Sequence, residues 1–81
     1  MALYIDKDWL VADSEAELLA FTDKLELHRY FYKNDCDTPH FEVWGQMRVR
    51  AILAGAKSVS TDLVLLKSKI MLTLANKKIT T

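Results

Sequence analysis

The alternation of short strand-like runs with helix-like segments constrains the fold of this chain more than any other feature. Leu3–Ile5 and Trp9–Ala12 are apolar runs of strand length, separated by charged turn residues. Two tightly joined strands, or one strand and an extended return, would both satisfy this pattern. Ser14 and Glu17 then form a capping box, in which each side chain can satisfy a free backbone N–H at the start of a helix. The sequence therefore predicts a helix that begins at Ser14.

Three segments have the residue spacing of amphipathic helices. The first runs from about Glu15 to Leu25, and the second ends at Gly55, a residue suited to the left-handed conformation that follows many helices. The third is capped by Ser60 or Thr61. We expect the buried stripes to be Leu18, Phe21, Thr22 and Leu25 in the first helix, Val43, Met47, Ala51 and Ala54 in the second, and Leu63, Leu66, Ile70 and Leu74 in the third.

The third helix has more apolar surface than one stripe. Its additional apolar residues are Val64, Leu65, Met71 and Leu72. Either the helix is covered on two sides, or it offers a face to a partner or to another copy of the chain. We predict self-association through Leu65, Met71 or Leu72.

Strands that alternate with helices indicate the α/β class. We predict a single domain over residues 1–81 in which three helices pack on a three- or four-stranded sheet in two layers. A short strand about Val59 and a strand-like run at residues 28–33 would extend the sheet. Residues 34–39 are polar and rich in turn formers, so we expect a mobile surface loop there.

The composition fits a globular domain that folds without a metal or a disulfide. Of the 81 residues, 51% are apolar and 27% are charged, and Cys36 is the single cysteine. The first residues lack the basic region and apolar run of a signal peptide, so we expect a cytoplasmic protein. Lys67 and Lys69 interrupt the most apolar segment, which argues against a membrane span.

Acidic and basic residues are unevenly distributed along the chain, although the formal net charge is zero. Residues 1–42 hold ten acidic and four basic residues, whereas residues 43–81 hold one acidic and seven basic residues. Such asymmetry can mark a partner surface, or it can be neutralised when the two halves fold against each other. Nucleic acid ranks below other partners, because the lysines of the basic half are not interleaved with aromatic residues.

The candidate chemical groups are few. His40 and Glu42 would point to the same face of a strand, which suits an imidazole and carboxylate pair for proton transfer. Together with Asp13 and His28 they could ligate zinc only if the fold brought them together. The structural alternatives are that His40 is hydrogen-bonded to the backbone and that Asp13 stabilises a helix N-terminus.

Arg29, Arg48 and Arg50 are candidates for binding a phosphate or carboxylate through their guanidinium groups. The sequence contains no Walker loop, no Gly-x-Gly-x-x-Gly motif, no Cys-x-x-Cys pair and no Gly-x-Ser-x-Gly elbow. The common nucleotide-binding and nucleophile motifs are therefore absent, and we predict no cofactor and no metal.

Three motifs carry a resemblance to a family. LVADSEAEL at residues 10–18, PHFEV at residues 39–43 and RAILAGA at residues 50–56 resemble, in order and spacing, the small "domain of unknown function 4031" proteins of bacteria and their phages. The likeness spans about residues 2–62. It implies an origin more than a mechanism, because no activity is settled for that family.

The resemblance also implies that this chain lacks two histidines common in the family. Members of that family often place one histidine just before the leucine at the Leu10 position and another after the Glu-Leu pair, whereas this chain has Trp9 and Leu19 there. If those histidines serve a metal or a proton transfer, then Asp13, His40 and Glu42 are a depleted set.

Two hypotheses for function follow. The first is a small non-catalytic intracellular binding module, a phage or prophage accessory protein that binds a host protein or a small anionic ligand. Its predicted contact residues are Asp13, Arg29, His40, Glu42, Arg48 and Arg50. The alternative is a small hydrolase or nucleic-acid-processing enzyme that uses Asp13, His40 and Glu42.

Overall fold

The computed structural model describes residues 2–34 and 38–80, with side chains as far as residue 74. The elements in chain order are β1 (Leu3–Ile5), β2 (Trp9–Ala12), α1 (Glu15–Lys24), a 3-10 turn (Arg29–Phe31), β3 (Tyr32–Lys33), β4 (His40–Glu42), α2 (Gln46–Leu53), β5 (Lys57–Ser58) and α3 (Thr61–Thr80). Half of the loop expected at residues 34–39 lies outside the described residues, because residues 35–37 are not among them.

The sheet is mixed and is built around β2. Its strand order is β3-β4-β2-β1-β5. β1 and β2 form an antiparallel hairpin with Tyr4 opposite Val11, which selects the first of the two readings of these runs. β4 pairs with β2 on the other side, and β5 runs parallel to β1 at the far edge. The strand expected about Val59 is present immediately before it, as β5.

Helices cover both faces of the sheet. Leu10 and Val11 are neighbours on β2 that point to opposite faces, and both are fully buried. α1 lies on the face of Leu3, where Phe21 lines the same cleft. α3 lies on the face of Tyr4, where Lys67 stands over the tyrosine ring. The α/β class with three helices is therefore confirmed, and the sheet has five strands with helices on its two sides.

Local signals place the helix ends. The Ser14 side chain accepts a hydrogen bond from the backbone N–H of Glu17, as the capping box predicts. α2 ends at Leu53, and Gly55 follows with a φ of +120°, a conformation that glycine adopts without steric cost. The N–H of Ala56 reaches back to the carbonyl of Ala51, which closes the helix as in a Schellman motif.

The register of α3 differs from the sequence-based prediction. Periodicity places Leu66, Ile70 and Leu74 on the inward side, but they are 54%, 39% and 41% exposed. The inward row is instead Val64, Ser68 and Met71, all buried.

Specific polar contacts fix this inward row. The Ser68 hydroxyl donates to the Pro39 carbonyl at 2.6 Å, and the Met71 sulfur accepts from the backbone N–H of Ala12 at 3.4 Å. Neither contact is visible in local periodicity, since each joins α3 to a distant segment of the chain. None of the described helices has the combination of length and apolar content that a bilayer span requires.

Candidate functional site

His40 lies on β4, between β2 and β3, and is 5% exposed. Its ring stacks on the Trp9 ring with centroids 3.5 Å apart and an interplanar angle of 4°. The Nδ1 atom lies 2.7 Å from the Thr38 carbonyl oxygen. Because a carbonyl only accepts, Nδ1 carries the proton in this hydrogen bond. Burial, stacking and the backbone hydrogen bond favour the structural alternative for His40.

Glu42 shares a strand face with His40, as alternation along β4 requires. Its Oε1 atom lies 3.7 Å from the Lys33 Nζ atom on β3, and both side chains are partly exposed. Since His40 bonds to Thr38 and Glu42 faces Lys33, each half of the predicted proton-transfer pair has a partner of its own.

Asp13 follows the last residue of β2 and belongs to a different part of the surface. Its Oδ1 atom accepts hydrogen bonds from the Tyr4 hydroxyl at 3.1 Å and from the Lys67 ammonium at 3.0 Å. Asp13 lies four positions after Trp9, on which His40 stacks, and four steps of extended chain span about 13 Å. In the described part of the chain, no three His, Cys, Asp or Glu side chains gather to hold a metal ion.

The Asp13–Lys67 ion pair ties α3 to the hairpin and should make stability depend on pH. The hydrogen bond from Lys67 lowers the pKa of the Asp13 carboxyl below its ordinary value, despite some opposing desolvation. Because the pKa is lower in the folded state, the stabilisation is present above about pH 4 and is lost as the pH falls through the folded-state pKa. Urea unfolding of the wild type and of Asp13→Asn should show the wild type more stable at pH 7, with the difference vanishing in more acidic buffer.

A matched variant checks that Lys67 is the partner. Lys67→Met removes the ammonium charge, so adding Asp13→Asn to this variant should change the free energy of unfolding with a much weaker dependence on pH, the remainder coming from the Tyr4 hydroxyl that also lowers the Asp13 pKa. A difference between the wild type and Asp13→Asn that persists unchanged in acidic buffer, or one that is undiminished in the Lys67→Met background, would contradict this assignment.

The three candidate arginines donate to three different acceptors of the protein itself. Arg29 binds Asp23 through two hydrogen bonds, from Nε at 3.2 Å and from Nη2 at 2.9 Å. Arg48 Nε donates to the Asp6 carbonyl at 3.0 Å, and Arg50 donates to the Leu25 carbonyl. The guanidinium groups are therefore used in internal contacts rather than aimed at a shared anion.

An exposed aromatic cluster, formed by Tyr30, Phe31 and Trp44, is the feature that the sequence analysis did not select. Tyr30 is 71% exposed and Trp44 is 51% exposed. The half-buried Phe31 ring lies between them, with its centroid 5.3 Å from each of the other two and interplanar angles of 83° and 81°. Edge-to-face contacts of this kind hold the rings in fixed relative positions.

The backbone positions this cluster from two directions. The 3-10 turn carries Tyr30 and Phe31, and its start is capped by His28, whose Nδ1 accepts from the Tyr30 N–H at 2.9 Å. Trp44 comes from the segment between β4 and α2, just before Gly45 with its positive φ of 58°. Lys33 Nζ lies 5.0 Å from the Tyr30 ring centroid. The sequence signal was the mixture of aromatic and basic residues at 28–33, which is equally compatible with a core segment.

The predicted association residues of α3 are less exposed than their neighbours. Met71 is 1% exposed and belongs to the core, whereas Leu65 and Leu72 are half-buried. Met71 is therefore not available at the surface for a contact between copies.

An apolar cleft of about 350 Å³ lies between α1 and the turn after α2. Phe21, Leu25 and Ala54 line it, and Lys24 brings a charge to its margin. Ligand sites usually combine an apolar lining with several convergent polar groups. The cleft is less suited to a polar ligand than to an apolar side chain.

Comparison with known proteins identifies the family. The family model described as "Protein of unknown function (DUF4031)" matches residues 5–70. No curated protein and no solved structure matches the chain at a significant level. The matched residues run from the end of β1 to the middle of α3 and include Asp13, His40 and the aromatic cluster. The chain therefore belongs to the DUF4031 family of proteins of unknown function.

Proposed function

We propose that this protein is a small non-catalytic binding module that contacts a host protein through the aromatic cluster. The observation that carries the proposal is the exposure of Tyr30 and Trp44, whose rings both make edge-to-face contacts with Phe31. Tyrosine and tryptophan are enriched at protein interfaces and among the residues that dominate binding energy, because each buries a large rigid ring at a small entropic cost. We place this activity in the cytoplasm, in a phage or prophage accessory protein.

The charges around the cluster favour a protein over a small anion or a nucleic acid. Lys33 lies near Glu42, and Arg29 is paired with Asp23, so the neighbouring cations are accompanied by carboxylates. A nucleic-acid or phosphate site needs uncompensated positive charge, which supplies most of the affinity. A protein surface with an apolar centre and mixed charges at its rim matches this pattern better.

The enzyme hypothesis has no supporting arrangement. It requires Asp13, His40 and Glu42 to act on one substrate. Asp13 bonds to Lys67 and Tyr4 at the end of β2, and His40 is buried against Trp9.

Capture from host cells tests the proposal. Tagged wild-type protein and the variant Tyr30→Ala with Trp44→Ala are used as baits, and the captured proteins are quantified by mass spectrometry. We expect at least one host protein to be retained by the wild type and to be lost about tenfold or more with the double variant, since two central aromatic contacts can each contribute about 2 kcal/mol or more. Leu53→Ala is the matched control, because Leu53 is an apolar side chain on α2 with 82% exposure.

A direct titration then separates contact from indirect effects. The chain has two tryptophans, so Trp9→Phe leaves Trp44 as the single tryptophan reporter and keeps an aromatic ring against His40. Binding of the captured protein should change the Trp44 emission in a saturable way. Retention that is insensitive to Tyr30 and Trp44, or a titration without a change in emission, would refute the aromatic cluster as the contact site.

A further inference from the structure

The 3-10 turn that carries part of the aromatic cluster is held by an imidazole as well as by backbone hydrogen bonds. The N–H of Phe31 donates to the His28 carbonyl at 3.1 Å, and the N–H of Tyr32 donates to the Arg29 carbonyl. The N–H of Tyr30 donates instead to the His28 ring, over 2.9 Å to the Nδ1 atom. The His28 side chain therefore fixes the backbone of Tyr30, whose ring is the most exposed of the cluster.

The hydrogen bond from Tyr30 to His28 depends on the protonation state of the imidazole. Because Nδ1 accepts, the ring is neutral and carries its proton on Nε2. Both nitrogens of a protonated imidazole are donors, so Nδ1 could no longer accept. Two N–H groups would then point at each other, and the ring would have to turn away from the Tyr30 backbone. His28 is exposed, so its ring exchanges protons directly with solvent.

We infer that His28 makes the aromatic cluster sensitive to pH, a regulation that rests on the proposed function because it acts on the same contact surface. The neutral imidazole holds Tyr30 in the arrangement that contacts the partner, and the protonated imidazole releases it. Release lowers the fraction of molecules that can bind, and the apparent affinity falls by the same factor. Since one hydrogen bond of this kind shifts such an equilibrium by about fivefold, binding should weaken about fivefold as the pH falls through the range in which imidazole titrates.

The other charged groups of this region keep their charge in the range in which imidazole titrates. Carboxylate, ammonium and guanidinium groups change their charge outside about pH 5 to 8. Those on the turn and on the elements beside it are Arg29 with Asp23 of α1, Lys33 of β3 with Glu42 of β4, and Glu26 after α1. The second histidine of the chain, His40, lies in the core. Variants of His28 therefore separate its protonation from that of His40.

An NMR titration of the chain alone tests this switch without a partner. As the pH falls from about 8 to about 5, the Tyr30 amide should lose about fivefold of its protection against hydrogen exchange, in step with the titration of the His28 ring. In His28→Asn, the side-chain oxygen accepts the same N–H and does not titrate, so the protection should stay constant. A Tyr30 amide whose protection does not follow the His28 ring, or falls equally in His28→Asn, would overturn the inference.

Capture from host cells then tests the effect on binding. Proteins are captured at about pH 7.5 and the baits are washed at about pH 5.5, on either side of the imidazole titration. The wild type should lose about fivefold of the protein that it retains through Tyr30 and Trp44, whereas His28→Asn should keep it and His28→Ala should bind weakly at both values.

The outcomes separate the switch from the proposed function. A captured protein that depends on Tyr30 and Trp44 but is retained equally at both pH values would overturn the switch and leave the proposed function standing. Equal loss from the wild type and from His28→Asn would also overturn the switch, because the titrating group would then be His40 or a group of the partner. If no protein depends on Tyr30 and Trp44, the proposed function is overturned, and the NMR titration still decides whether His28 releases Tyr30.

Discussion

Replacing Ser68 with leucine should lower the free energy of unfolding by about 2–4 kcal/mol. Ser68 is fully buried between α3 and the sheet, and its hydroxyl donates to the Pro39 carbonyl at 2.6 Å. The larger side chain would overfill a packed site and leave that buried carbonyl without its hydrogen-bond donor. Urea denaturation followed by circular dichroism measures the change, with the midpoint expected to fall and the slope to stay similar.

Lys69→Leu is the matched control for this prediction, because it places the same side chain one residue further along α3 at an exposed position. Its effect on the free energy of unfolding should stay within about 0.5 kcal/mol, as is usual for surface substitutions. Equal tolerance of leucine at both positions would mean that Ser68 faces solvent and that α3 is rotated from the register described above.

The register of α3 shows where prediction from sequence fails for this chain. The row Leu63, Leu66, Ile70 and Leu74 is more apolar than the row of Val64, Ser68 and Met71, so periodicity favours burying the first. The structure buries the second row, because Ser68 and Met71 form hydrogen bonds with Pro39 and Ala12. Both partners belong to segments far from α3 in the sequence. A hydrophobic pattern identifies an amphipathic helix, but tertiary contacts decide which side is covered when both are apolar.

Elements whose signals are local were predictable. The Ser14 cap and the termination of α2 near Gly55 each depend on a few adjacent residues, whereas the sequence left the pairing of β1 with β2 as one of two alternatives. β3 and β5 have two residues each, and they exist because they pair with β4 and β1. The sequence indicated strand-like runs at residues 28–33 and about Val59, but a two-residue strand carries too little periodicity to fix its bounds, so pairing decides them and the strand total was predicted as three or four rather than five.

The candidate site, too, was predictable only where its signals are local in the sequence. The sequence placed His40 and Glu42 on one strand face, which β4 confirms, but it did not reveal that Trp9 covers the imidazole. The exposed aromatic cluster joins Tyr30 and Phe31 to Trp44 across an intervening strand pair, so no sequence window contains it. Exposure of an aromatic ring is a property of the folded surface rather than of composition.

His40→Ala should lower the free energy of unfolding by about 1–3 kcal/mol. The substitution removes the ring that stacks on Trp9 at 3.5 Å and the donor to the Thr38 carbonyl at 2.7 Å, in a place where His40 itself is 5% exposed. In a domain of this size each kcal/mol lowers Tm by about 4–8 °C, so a thermal melt resolves the effect. Capture of a host protein through Tyr30 and Trp44 should be unchanged at temperatures where the variant is folded.

Two further variants separate the stacking from the hydrogen bond. His40→Phe keeps a flat ring against Trp9 but loses the Nδ1 hydrogen bond to the Thr38 carbonyl, whereas His40→Asn keeps an N–H donor near the Nδ1 position but loses the ring. Each should therefore fall between the wild type and His40→Ala in Tm. If His40→Ala instead costs under about 0.5 kcal/mol while partner capture is lost, then His40 is a contact residue of the binding surface and not part of the scaffold.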